Sequence, residues 1–219
     1  MEITWYGHSC FRLTERSYAS VVTDPFDNKI VGYGALKLKA DIVTVSHDAP
    51  GHSNTEVVKG ASHVIDGAGE FEIGSVFITG VATDGGGAVK KKGKDTSSRN
   101  TVYVFDYDGI TVAHLGDLKQ VPTQSEIESL GTINVALVPV GGGGGLNAAK
   151  AAEVISLIEP NVVIPMHYAT PAAKVSLDSL NKFIKEMGLS KPETQPSLKV
   201  TRSGLPDETK VVVLEFQKS

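Results

Sequence analysis

The sequence predicts a layered domain of the α+β or α/β class, and two observations carry that prediction. The first half alternates short β-rich runs with glycine and proline turn signals, whereas the second half alternates helix-spaced apolar residues with buried-type strands. No internal repeat and no clean linker separates the halves, so residues 1–219 read as a single domain. A composition with 41% hydrophobic and 21% charged residues places the chain among ordinary soluble globular proteins.

Taken in order, residues 3–13 and 19–23 read as a hairpin closed off by Asp24-Pro25. Residues 41–46 form a β-rich run that leads directly into His47. Further strand-like runs cover 63–65, 71–73, 76–81, 101–107 and 110–114, with Gly67, Gly69, Gly74 and Gly109 at the breaks. Tyr107-Asp108-Gly109 joins the last two as a hairpin, because Asp-Gly accepts the positive φ angles of a tight turn. The stretch 83–100, "TDGGGAVKKKGKDTSSRN", is a loop by composition, and loops of that length within domains are usually functional or disordered. Thr123 and Glu126 form a T-x-x-E capping box behind Pro122, so a short helix starts there. Residues 135–140 are a buried-type strand, followed by the glycine run 141–145. Ala151, Val154, Ile155 and Ile158 follow helical spacing until Pro160 ends it. Residues 162–165 are another apolar strand; Leu177, Leu180, Ile184 and Met187 mark a helix ending at Gly188; 199–201 and 211–216 close with strands.

Several function classes are disfavoured. No run approaches the roughly 18 apolar residues of a membrane span, and the first residues, Met1 to Tyr6, begin like a strand rather than a basic-then-apolar signal region. The expected location is the cytoplasm, which also suits Cys10, a single cysteine read as a small buried residue. A formal charge of −4 argues against a nucleic-acid partner. Lys90-Lys91-Lys92-Gly93-Lys94 is the one basic run, either a rim that attracts an anionic substrate or a solvated loop.

The six histidines carry the functional signal. His47 and His52 bracket "HDAPGH" after one strand, His114 ends another in "AHLGDL", and His167 follows a third in "VVIPMHYAT". Side chains at the ends of strands in one sheet system converge on a single rim. A catalytic zinc site needs three or four N, S or O ligands with one position left to water. His47, His52, Asp117 and His167 supply that chemistry if the fold gathers them; taken one at a time, each also reads as an ordinary hydrogen-bonded residue.

Six stretches in order, "TWYGHSCF" (4–11), "VVTDPF" (21–26), "VSHDAPGH" (45–52), "AHLGDL" (113–118), "LVPVGG" (137–142) and "VIPMHY" (163–168), resemble the metallo-β-lactamase fold family. The similar branch is that of small bacterial metal-dependent hydrolases, which includes sugar-phosphate lactonases. The resemblance implies a four-layer αββα sandwich, an α+β architecture. It also implies a metal loop of pattern H-x-H-x-D-H, here edited. His47 matches the first histidine and His52 the last, but Ala49 stands at the second histidine and Gly51 at the aspartate. The later third histidine falls near Thr83–Asp84, where none is present; Asp84 or Asp48 is the available substitute. Asp117 matches the bridging aspartate and His167 the final histidine.

The resemblance therefore implies at most one metal ion, zinc or manganese, held by His52, Asp117 and His167 with His47 beside them. His47, Asp48 or His8 would then do the catalytic base's work that the loop aspartate does in the family. Asp24 in "TDPF" is placed to accept the free N–H of a ligating histidine or to serve as a turn residue before Pro25. His8 and His114 are expected near the cleft as hydrogen-bond partners or spare ligands, and Tyr168 as a packing residue or a substrate contact. His63 is read as structural. Two functions follow. One is a hydrolase that uses a single ion to activate water against an ester, lactone or phosphodiester. The alternative is a catalytically inactive member with a degenerate active site, whose cleft binds a small, anionic ligand or a protein partner. The residues leave the substrate and the oligomeric state open.

Overall fold

The computed structural model of the chain describes residues 1–83 and 99–218; Asp84 and Lys90–Lys94 lie outside the described residues. The strands are β1 (Glu2–Gly7), β2 (Cys10–Thr14), β3 (Val21–Thr23), β4 (Leu38–Lys39), β5 (Ile42–Thr44), β6 (Val58–Lys59), β7 (His63–Ile65), β8 (Gly69–Ile73), β9 (Val76–Thr83), β10 (Asn100–Tyr107), β11 (Ile110–His114), β12 (Val135–Pro139), β13 (Val162–Met166), β14 (Glu193–Gln195), β15 (Ser197–Lys199) and β16 (Lys210–Leu214). The helices are α1 (Asn28–Val31), α2 (Gln124–Leu130), α3 (Ala148–Ile158) and α4 (Leu180–Glu186). One sheet has six strands in the order β15-β1-β2-β3-β5-β7, and the other has eight in the order β14-β16-β13-β12-β11-β10-β9-β8.

Alternation along the strands explains why the two sheets stack. Ile3 and Trp5 of β1, Val21 of β3 and Ile42 of β5 bury one face of the six-stranded sheet. They share a core with Val102, Phe105, Val112 and Leu137 of the eight-stranded sheet. The next residues along, Val22 and Val43, point to the opposite face and join a second core with Phe26, Val31, Tyr33 and Leu38. All five residues of β12 and of β13 are buried, as strands covered on both faces should be. Helix α3 turns Ala151, Val154 and Ile155 onto the same core. The result is the expected α+β sandwich, with parallel pairing at β3–β5–β7 and at β11–β12–β13–β16. No helix among the described residues is long and apolar enough to cross a membrane.

Two local differences from the sequence reading matter. The run 3–13 is two strands rather than one, because Gly7 at φ +106° and His8 at φ +51° turn the chain back on itself. The apolar alternation continues on both sides of the turn and hides it, and the turn is what projects His8 from the end of β1. The last helix is shorter than 177–187: Ser179 precedes it, and Leu177 stays in the preceding loop against Gly143. The capping box at α2 forms as expected, with Thr123 and Glu126 each satisfying the other's backbone N–H. The hairpin at Asp108-Gly109 forms with both residues at positive φ.

Candidate metal centre

Five strand ends on one rim supply the histidines and carboxylates. His8 follows β1, Asp24 follows β3, Ser46-His47 lie just beyond β5, Asp117 lies just beyond β11, and His167 follows β13. His8, Asp24 and His167 all have positive φ, at +51°, +40° and +53°. Non-glycine residues rarely hold that conformation, and such strain gathers at functional sites. Backbone bonds sustain it: the His167 N–H donates to the His8 carbonyl at 3.1 Å, which also accepts from Trp5 Nε1 at 3.1 Å.

The rings converge. His8 lies 4.1 Å from His167 and 4.8 Å from His52 between ring centroids, and His47 lies 4.2 Å from His52. One ring nitrogen from each of the buried His8, His52 and His167 can be chosen so that all lie within 4.8 Å of one another. A second set of that kind joins Asp24, His47 and His52. Asp117 is in neither set.

Asp24, fully buried, organises the second set. Its carboxylate accepts from the Ser46 N–H at 2.7 Å, from Ser46 Oγ at 2.6 Å and from His52 Nδ1 at 2.8 Å. A carboxylate only accepts, so Nδ1 of His52 carries a proton, and in the neutral ring the Nε2 lone pair is the one left for a cation. Ser46 Oγ, having given its proton to Asp24, accepts from His47 Nδ1 at 3.0 Å, which leaves His47 Nε2 as the lone pair. One carboxylate thus sets both tautomers. Burial pushes the Asp24 carboxyl up, but the imidazoles of His114 and His52 and the Ser46 bond outweigh it and hold its pKa low.

The site suits a cation on three counts. Burial and neighbouring imidazoles push His167 down to about 3 and His47 to about 4, and lower His8 as well, so these rings stay neutral, the form that ligates metal. His8 Nδ1, His167 Nδ1 and Asp117 Oδ1 are buried without a hydrogen-bond partner among the described residues. Orphans of that kind call for an ion or water. Finally, tetrahedral zinc holds its ligands about 3.3 Å apart at bond lengths of roughly 2.0–2.1 Å, so ligand atoms within 4.8 Å need only a modest closure.

The remaining candidates separate. Asp117, pushed up to about 6 by burial, is fixed by its N–H donating to Asn100 Oδ1 at 2.9 Å, and Gly145 passes close over its carboxylate. Asp48 is exposed and accepts from Ser53 Oγ at 3.1 Å. His114 is fully buried and its Nε2 bonds the Ser9 carbonyl at 2.8 Å, a structural partner below the cleft. Tyr168 packs on Trp5 at 5.3 Å, Cys10 is buried and free, and His63 is exposed beside Ser62. Ser46 and Asn100 were not singled out in the sequence. Only the adjacency of Ser46 to His47 hinted at its role, and nothing local distinguishes Asn100.

Comparison with known proteins identifies the relatives of this chain. A family model described as a beta-lactamase superfamily domain matches residues 2–167. A Thermotoga maritima protein, assigned as a Zn-dependent hydrolase of the metallo-beta-lactamase superfamily, is 37% identical with a TM-score of 0.78, and the alignment covers 99% of each chain. A UPF0173 metal-dependent hydrolase of Thermoplasma acidophilum is 27% identical over 78% of this chain and 84% of its own length. Another, from Methanopyrus kandleri, is 27% identical over 86% of this chain and 94% of its own. The chain therefore belongs to the metallo-beta-lactamase superfamily.

Proposed function

We propose that the chain is a metal-dependent hydrolase that uses at most one divalent ion, zinc or manganese, in this cleft. The observation that carries the reading is the convergence of buried imidazoles at the strand ends, with the Nδ1 atoms of His8 and His167 unpartnered among the described residues. The relatives named as metal-dependent hydrolases support it. His52 and His167 would hold the ion, with the Asp117 carboxylate and His47 beside it. When bound, such an ion supplies Lewis acidity: it lowers the pKa of water and polarises a scissile carbonyl or phosphoryl oxygen.

The chain's own residues do the rest. Asp24 and Ser46 orient His52 and His47 with their Nε2 lone pairs outward. His47, half-buried at the cleft edge, is the neutral base best placed to take a proton, because its Nδ1 already bonds Ser46. Asp48 is exposed on the loop and bonded by Ser53, a weaker candidate. The Lys119 charge acts on both His47 and Asp117, which favours a small substrate with an anionic group. A phosphodiester, or an ester or lactone that bears an acidic substituent, meets that description.

Elemental analysis of protein purified without chelator or His-tag, with parallel hydrolysis of phosphodiester and lactone surrogates, tests the reading. About one ion per chain is expected, lost in His52→Ala and His167→Ala together with hydrolysis. No ion after incubation with zinc or manganese overturns it. The editing of the loop at Ala49 and Gly51 favours a second reading in that event, a non-catalytic cleft that binds a small anion or a protein partner.

A further inference from the structure

Gly51 has no side chain, and the space beside it is filled. A Cβ at this position would lie 2.9 Å from His8 Nε2, 3.4 Å from His8 Cδ2 and 3.3 Å from Val31 Cγ1. The Nε2–Cδ2 edge of His8 therefore occupies the space into which a side chain at 51 would grow. A side chain at 51 and the His8 ring in its present place exclude each other. His8 is also no passing neighbour. It is 4% exposed, its ring sits 4.1 Å from His167 and 4.8 Å from His52, and its Nδ1 is buried without a partner among the described residues.

We infer that His8 is a metal ligand, which replaces the absent loop carboxylate with a nitrogen donor and completes a three-imidazole site with His52 and His167. The inference rests on the metal-dependent reading above and deepens it. Three neutral imidazoles in place of two and a carboxylate leave the bound ion with one more unit of net positive charge. That arrangement suits zinc over manganese, since imidazole is the borderline ligand and carboxylate the hard one. The turn that presents His8 is built for it. Gly7 at φ +106° packs directly on the Tyr33 ring, and the His8 carbonyl is tied to Trp5 and to His167.

The test is Co²⁺ and Zn²⁺ titration of the metal-free full chain, read by the visible ligand-field spectrum and by isothermal calorimetry. The variants are His8→Asn, Gly51→Asp and the double variant, with circular dichroism as the folding control. Asparagine is chosen because it tolerates the positive φ at position 8. The wild type should bind one ion. His8→Asn should lose more than the ~10–100-fold typical of an outer-shell partner and change the Co²⁺ spectrum. Gly51→Asp should also weaken binding while His8 remains, and the double variant should regain affinity with a carboxylate-type spectrum. If wild type binds Co²⁺ and a folded His8→Asn binds it equally with the same spectrum, His8 is not a ligand and the hydrolase reading stands. Should His8→Asn not fold, an unchanged Gly51→Asp spectrum and affinity overturn the inference instead. If wild type binds neither Co²⁺ nor Zn²⁺, the metal-dependent reading itself fails, and this inference with it.

Discussion

Burying a carboxylate is costly unless its oxygens are paired, and Asp24 has three donors: the Ser46 N–H, Ser46 Oγ and His52 Nδ1. Asp24→Asn turns one of those contacts into donor against donor and frees the His52 tautomer. Zinc affinity should fall by about 10–100-fold, as measured by competition with a chromogenic chelator. Gly116 is a second fixed point. It sits at φ +61°, and a Cβ there would meet Asn100 Oδ1 and lie 2.5 Å from Ser46 Cβ. Gly116→Ala should therefore cost at least about 1–3 kcal/mol in denaturant unfolding and displace Asp117, which hangs from Asn100. "TDPF" offered Asp24 either as a histidine partner or as a turn residue before Pro25, and the hydrogen bond to His52 is in place. Asn100 was not legible. Its side chain bonds the Leu115 carbonyl at 3.0 Å and the Asp117 N–H at 2.9 Å, contacts 15 and 17 residues away that no local pattern announces.

At the scale of elements, the reading was strongest where a local chemical rule set a boundary. The capping box began α2, Asp-Gly turned β10 into β11, and Glu159 ended α3 in a left-handed conformation just before Pro160. It was weakest where partners from elsewhere decide, as in the two-residue strands β4 and β6, whose paired residues are 20 positions apart. Thr123→Ala removes one half of the capping box and should cost about 0.5–2 kcal/mol while metal binding is unchanged, checked by chemical denaturation and zinc titration. The link between β3 and β5 gives a pH test. Asp41 Oδ2 accepts from Ser20 N and Ser20 Oγ at 2.7 Å each, and these bonds hold its carboxyl below the usual value. A carboxyl depressed in the folded state adds stability above its unfolded pKa, and that increment is lost as pH falls through the folded value. The Tm advantage of wild type over Asp41→Asn should accordingly be present at neutral pH and shrink on acidification below about pH 4. An advantage that grows with acid contradicts the assignment.

For the whole molecule, one core runs from Ile3 in β1 to Leu214 in β16, so the segment beyond residue 167 shares its packing with the first strand. We expect residues 1–219 to unfold as one domain, with a single calorimetric transition. Zinc at 100 times its Kd should stabilise the fold by about 2.7 kcal/mol, a Tm rise of roughly 5–10 °C for a chain of this size. The rise should vanish with excess chelator and in His167→Ala. The amino-acid sequence by itself determined the layered class, the strand ends that carry His47, Asp117 and His167, and the identities of Ala49 and Gly51, where the family resemblance implies a histidine and an aspartate. Those are local matters of alternation, turn chemistry and residue identity. Only the tertiary structure decided that His8 fills the space at Gly51 and that one carboxylate, Asp24, governs both His47 and His52. These contacts join turns more than twenty residues apart. They exist because the parallel strands of two stacked sheets end on one rim, an outcome of packing that no short stretch of sequence contains.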